Sequence, residues 1–381
     1  MRTRPFLHGL VVAALSVALH SQAIAQQQSV ATPAPQQTAE QLAKEAHRLA
    51  SSAKNLDDFT QALRVCGQVM KANPTPEQSA YVNSLAGWTY NKRGEVLVKL
   101  AEDTAESDAQ RAAEYEQAAI KDFGLAMRFN QDDWKPRFNR AVSVAVLGDF
   151  KTALTDLDFV ISKQPAHKNA HFNRGEILLQ MGEYERAAAD YSTVIEQDVN
   201  DSAAYAGRGI ALSALGDSEK ALMDLNTVVR LEPENATAYV DRADLYAAMG
   251  DWERAAGDYR VAIGLDNSMA RAYQNVAWLM ATCPEKRFRN PDLAVRAAKK
   301  AIELEGQTYL GLDTYAAALA STGEFQKAQA VQQQAIAKAP KDEQSDLTQR
   351  LSMYRDERQF IERAAESGKI QLATAEEDVV K

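Results

Sequence analysis

The sequence predicts an all-α chain built as a row of helical hairpins, and three observations carry this. Gly148, Gly182, Gly216 and Gly250 recur every 34 residues, each followed by an acidic residue (Asp149, Glu183, Asp217, Asp251). An alanine stands five residues after each glycine (Ala153, Ala187, Ala221, Ala255), and a small residue seven before it (Ala141, Gly175, Gly209, Ala243). Arg140, Arg174, Arg208 and Arg242 precede those small residues by one position, and each has an aspartate sixteen residues later: Asp156, Asp190, Asp224, Asp258. A fixed period of this length marks an architecture in which each unit buries its apolar face against its neighbours.

Within each unit the glycine predicts the left-handed end of a first helix, and the acidic residue caps the second. Small residues on both helices let their backbones approach closely. Pro165 and Pro233 end second helices. The frame gives four regular repeats, 134–167, 168–201, 202–235 and 236–269. The fifth, 270–308, is five residues longer: a proline-flanked loop from Thr282-Cys283-Pro284 to Asn290-Pro291 separates a helix over Ala272–Met280 from one over Asp292–Leu304. The sixth, 309–342, returns to period with Gly323, Glu324, Ala328 and Pro340. In these last two the arginine and the aspartate vanish together (Val276 with Ala297, Tyr315 with Val331). Joint loss reads as contact, so the pairs are expected to be structural ion pairs between the two helices of a repeat, because a partly buried guanidinium needs a fork-shaped partner.

With its glycine, alanine and proline positions, this period resembles the tetratricopeptide repeat family, over most of the chain beyond the leader. The resemblance implies a right-handed α-solenoid of helix-turn-helix repeats that binds other proteins and is not an enzyme. It also implies that the first helices line a concave groove for a peptide or helix of a partner. On that face Phe138, Asn139, Phe172, Asn173 and Glu176, and further along Gln274, Asn275 and Trp278, are the candidate binding residues: an apolar floor with amides for an extended backbone. The same three aromatics equally suit a core between repeats. Members that clamp a terminal carboxylate carry a lysine followed four residues later by an asparagine; here Phe138 is followed by Val142 and Phe172 by Glu176, which does not support that mode.

The arginine signature finds a longer unit upstream. Arg93-Gly94 and Asp122 lie 29 residues apart, and thirteen extra residues shared by two antiparallel helices add about two turns to each. The expected hairpin runs from Pro76 to Asp103 and from Asp108 to Phe129, with Ser107 and Gln110 as a capping box at the second start. A degenerate repeat precedes it, over Thr38–Lys54 and Leu56–Ala72. Together these make a region 39–133 ahead of the six repeats at 134–342, and a polar capping helix over 343–367 closes the array, since its last face must be solvated. Between Glu95 and Gln117 seven acidic residues face only Lys99 and Arg111, a net −5. Glu102, Asp103, Glu106 and Asp108 therefore form an acidic hairpin tip, either a solvated helix pair or an arm that steers a basic partner.

The ends of the chain read differently. Arg2 and Arg4, an apolar run from Phe6 to Leu19 and the small residues of Ala23-Ile24-Ala25 predict a signal peptide over 1–25, cleaved after Ala25, with an uncleaved anchor as the alternative. Export would take the net charge from −9 to −11. Residues 26–38 form a Gln/Pro linker, and 368–381 a loose tail. The acidic balance argues against a nucleic-acid partner, because phosphate neutralisation needs a basic footprint. No membrane insertion is expected after cleavage. The expected place is the periplasm or cell envelope, and the expected role a scaffold or adaptor, with envelope assembly, secretion or a glycan-associated accessory module as alternatives.

No catalytic constellation, cofactor loop or metal motif is present. His167 and His171 with Glu176 lack a third ligand of suitable geometry. Cys66 and Cys283 stand in different repeats, too far apart in the frame for a bridge.

Overall fold

A computed structural model describes residues 37–362. The expected leader (1–25), most of the linker (26–36), residues 363–367 of the expected capping helix and the tail (368–381) lie outside the described residues. Those described form an all-α helical repeat fold in two units, divided between Ile177 and Leu178.

The first unit contains α1 (Ala39–Ser52), α2 (Leu56–Lys71), α3 (Pro76–Thr104), α4 (Ala109–Phe129), α5 (Trp134–Val146), α6 (Phe150–Lys163) and the start of α7 (Lys168–Gln180). In place of one central core it has small clusters between adjacent helices, such as that of Leu97, Ala119 and Phe123 in the long hairpin and that of Ala141, Leu157, Val160 and Ile177 further on. Thr38 and Thr75 open α1 and α3 with capping boxes. The expected box at Ser107 is not formed. Asp108 caps α4, accepting from the Arg111 amide, while the Ser107 hydroxyl donates to the Thr104 carbonyl. The carboxylate, at the stronger capping position, displaces the hydroxyl by one residue.

The second unit holds the rest of α7, then α8 (Tyr184–Gln197), α9 (Ser202–Ala214), α10 (Ser218–Leu231), α11 (Ala236–Ala248), α12 (Trp252–Leu265), α13 (Ala270–Thr282), α14 (Pro291–Glu305), α15 (Tyr309–Ser321), α16 (Phe325–Lys338) and α17 (Gln344–Arg355). Its clusters again sit between consecutive helices, as where Val240, Tyr246, Tyr259 and Leu279 join α11, α12 and α13.

The periodic glycines do one job. At Gly148, φ is +83°; its amide donates to Ala145 and that of Asp149 to Val144, closing both orphan carbonyls at the end of α5. Gly182, Gly216, Gly250 and Gly323 repeat this geometry with φ from +75° to +86°. The caps that follow depend on side-chain length. Asp149, Asp217 and Asp251 accept a backbone amide of the next helix. Glu183 and Glu324 make no cap, and pair instead with Arg186 and Lys327.

The capping helix is shorter than expected. It ends at Arg355, not near Ser367, because Glu357 takes the left-handed conformation (φ +56°) and the Arg358 amide donates to Met353 at 2.8 Å. The chain then turns back as a non-helical strap, Asp356–Glu362. A glycine suits this turn better than glutamate, so Glu357→Gly is expected to raise stability by about 1 kcal/mol, read as a higher thermal midpoint.

Candidate functional site

The arginine–aspartate pairs are two-pronged joints within repeats. Arg140 Nε and Nη2 lie 2.7 and 2.8 Å from Asp156; the same distances hold for Arg208 with Asp224, and Arg242 meets Asp258 at 2.7 and 2.9 Å. In the long hairpin Arg93 grips Asp122 in the same way. Hydrogen bonds donated to these carboxylates hold the guanidinium groups of Arg93, Arg208 and Arg242 above their ordinary values. Periodicity did not reveal a further bond: Nη1 donates to the second helix of the preceding repeat, from Arg93 to Thr60 at 3.0 Å, from Arg208 to Ser192 at 3.0 Å and from Arg242 to Asn226 at 2.8 Å. Arg174 donates likewise to Asp158 at 2.7 Å. Arg174 and Asp190 fall in different units; Asp190 is buried in α8. Each guanidinium with all three bonds thus fixes the packing of its own repeat and the seat of that repeat on the one before.

In the first unit the expected binding face is largely closed. Phe172 is only 7% exposed, so it is a core residue and not an open floor. Phe138 is half-buried, packed on the Leu157–Ile177 cluster and against the His167 ring, 4.8 Å between centroids. An aromatic ring on a helix side is covered when the next helix pair stacks on it. Asn139 donates to Asn91 (3.1 Å) and Glu95 (3.4 Å) on α3, so its amide links neighbouring first helices. Asn173 and Glu176 are half-buried on α7.

The second unit brings together a richer set on the first helices α11, α13 and α15. Arg271 is paired with Asp241 and Asp244 of α11, Asn275 donates to Asp244 at 2.7 Å, and the buried Tyr259 hydroxyl donates to the same carboxylate at 2.6 Å. Burial, then the Asp244 charge, push the Tyr259 hydroxyl upward; burial also raises the Asp241 carboxyl against the pull of Arg271. Gln274 is half-buried, its side-chain oxygen close to Gly311 of α15.

Trp278, one turn beyond Gln274, is covered by the chain itself. Phe360 packs on its indole, 5.6 Å between centroids. The Arg350 guanidinium lies 5.6 Å from the Trp278 ring and 5.5 Å from the Phe360 ring, and its Nε donates to the buried Asp313 at 2.9 Å. The indole also lies against the Glu362 side chain and holds its carboxyl down against the upward push of burial, and the Glu362 amide donates to the Thr282 carbonyl at 2.9 Å. That carbonyl is one of the orphans at the end of α13. Trp278 is therefore not the open sugar platform that a glycan-binding reading needs. Neither Phe360 nor Arg350 stood out in the sequence, because their partners lie 82 and 72 residues away.

A family model for the tetratricopeptide repeat matches residues 138–204 and 206–270. This stretch is built of tetratricopeptide repeats. Among solved structures, the chain is similar to a tetratricopeptide repeat protein from Parabacteroides merdae, at 18% identity over 74% of this chain and 98% of that one, with a TM-score of 0.43. MamA from Desulfovibrio magneticus RS-1 aligns at 23% identity over 45% of this chain and 97% of its own, with a TM-score of 0.40. Yeast Tom70 aligns at 13% identity over 82% of each chain, with a TM-score of 0.47. A search among curated proteins gave no match.

The tetratricopeptide repeats, like the long hairpin before them, show no metal cluster among the described residues. His167 caps the start of α7 through its Nδ1, which accepts from Ala170, and burial lowers its basicity; the His171 ring bonds the Pro165 carbonyl. Cys66 and Cys283 are buried and free; burial pushes the Cys66 thiol up to about 11, away from nucleophilic use. No described helix is long and apolar enough to cross a membrane. At the hairpin tip Glu102, Asp103, Glu106 and Asp108 are all exposed, whereas Glu116 is buried and Glu95 is tied to Lys92 and Asn91.

Proposed function

We propose that the protein is a non-enzymatic scaffold or adaptor of the bacterial cell envelope, exported by its N-terminal leader, and that it binds a segment of a partner protein on the first-helix face around Gln274, Asn275 and Trp278. One observation carries the choice of face: the surface of α13 already holds an extended stretch of chain through a ring on Trp278, a carboxylate on its indole and a main-chain bond to Thr282. Main-chain hydrogen bonds combined with side-chain contacts are how an extended peptide is recognised. The leader pattern supports export, and the repeat family supports protein binding over catalysis.

Crosslinking tests this. A photo-crosslinking residue at Gln274, in intact envelopes, is expected to capture a discrete partner, and Trp278→Ala to lower that capture about tenfold. The four exposed carboxylates of the hairpin tip favour a second reading, an arm for a basic partner. Capture that survives Trp278→Ala and disappears on charge reversal of Glu102, Asp103, Glu106 and Asp108 would assign binding to that arm. Fractionation checks the location: mature protein that stays with membranes after a high-salt wash contradicts a cleaved, soluble form.

A further inference from the structure

We infer that the strap is an internal ligand: Phe360 and Glu362 occupy on Trp278, Arg350 and Thr282 a site for an extended partner segment that carries an aromatic residue and, two positions later, a carboxylate. This rests on the peptide-binding reading of the α13 face and adds to it both the partner's chemistry and its regulation, since such a partner must displace the strap.

The receptor half of the site is organised independently of the strap. Arg350 is held from below by Asp313, 4% exposed, which also accepts from Gln332 at 2.8 Å. The guanidinium is thereby fixed beside Trp278, and together they present a surface that favours an aromatic ring. The indole N–H is a donor only, which selects an acceptor such as a carboxylate. The Thr282 carbonyl selects a backbone amide. A ring, an acceptor and an amide, in that spacing, are what Phe360 and Glu362 supply.

Helix α17 supplies most of the end-cap: it buries Leu347 (2% exposed), Leu351 (5%) and Tyr354 (0%), and Gln329 ties the Tyr354 carbonyl at 3.0 Å, while the strap adds only the Phe360 ring to the edge of the Leu319–Tyr354 cluster. In the strap, by contrast, Asp356 to Gln359 are exposed and Phe360, Ile361 and Glu362 are half-buried. Two features weaken its hold. Glu357 enters the turn in a conformation that disfavours a side chain. Burial also pushes the Glu362 carboxyl upward, opposed by the Trp278 indole. A segment with complementary groups and a strained entry suits competition better than permanent closure.

The test uses the full-length chain and a labelled synthetic peptide of the sequence Asp356–Glu362, read by fluorescence anisotropy. If the strap is closed in nine molecules of ten, vacating it with Phe360→Ala and Glu362→Ala raises affinity for the peptide about tenfold. Adding Trp278→Ala abolishes binding, as does replacing the peptide's aromatic residue by alanine. Glu357→Gly, which relaxes the turn without touching the site, lowers affinity below that of the unaltered chain. Thermal melts accompany each variant, and the Glu357→Gly arm stands even where the vacated variant unfolds. Equal peptide affinity in all strap variants, or no binding by a vacated chain that melts normally, overturns the inference. Envelope capture at Gln274 that depends on Trp278 but ignores the strap would remove this inference and leave the scaffold reading intact; loss of that capture would remove both.

Discussion

Asp156→Ala is expected to cost about 3–5 kcal/mol, a large part of the stability of an ordinary domain. Its carboxylate has no exposed surface and accepts from Arg140 at 2.7 and 2.8 Å and from Arg137 at 3.3 Å. Removing it strands two guanidinium groups, one of which rests on the Phe159 ring 4.0 Å away. Replacing both members of the Arg140–Asp156 pair by leucine should cost much less than the single change, because no uncompensated Arg140 charge is then left at the joint. Urea unfolding followed by circular dichroism measures both. Exposure sets a ranking: the aspartate side chains of the three pairs are 0%, 7% and 13% exposed at Asp156, Asp224 and Asp258, so alanine there should cost progressively less. Equal losses at all three, or a single-mutant loss under about 1 kcal/mol at Asp156, would mean that these pairs are surface decoration.

Gly207→Ala should be nearly as severe. A Cβ there would stand 2.4 Å from Cζ of Tyr191 and 2.7 Å from each Cε, and this ring is completely buried. Neither α8 nor α9 can yield without disturbing the next joint, so the upper end of overpacking penalties, about 3 kcal/mol, is expected. In a Tyr191→Leu background the same change should cost far less. Strict additivity of the two substitutions would show that glycine and ring do not oppose each other.

Local chemistry made much of the fold readable. The glycine period predicted the helix ends because a left-handed terminus nearly requires glycine. The thirteen extra residues between Arg93 and Asp122 predicted a long hairpin, and α3 and α4 end within a residue or so of the expected bounds. Where competing local groups lay close together, the reading slipped by one position, as with Ser107 and Asp108. The candidate site was less readable. Phe138 and Phe172 have the same sequence signature whether they face a ligand or the neighbouring repeat, and only stacking buries them. The end of α17 is the sharper case: Arg355 to Glu362 contains neither glycine nor proline, so nothing local stops the helix there. Phe360 and Glu362 leave it because Trp278, Arg350 and Thr282 offer partners from elsewhere in the chain.

Sequence alone therefore determined the repeat, its register, the turn at each glycine and the pairing of Arg140, Arg208 and Arg242 with the aspartate sixteen residues on, all of which are short-range consequences of helix geometry. Tertiary structure decided what the third guanidinium nitrogen binds, why Gly207 must be glycine, which aromatics are covered and where the last residues fold. Those depend on contacts between side chains far apart in the chain, and a period of 34 residues carries no signal for them.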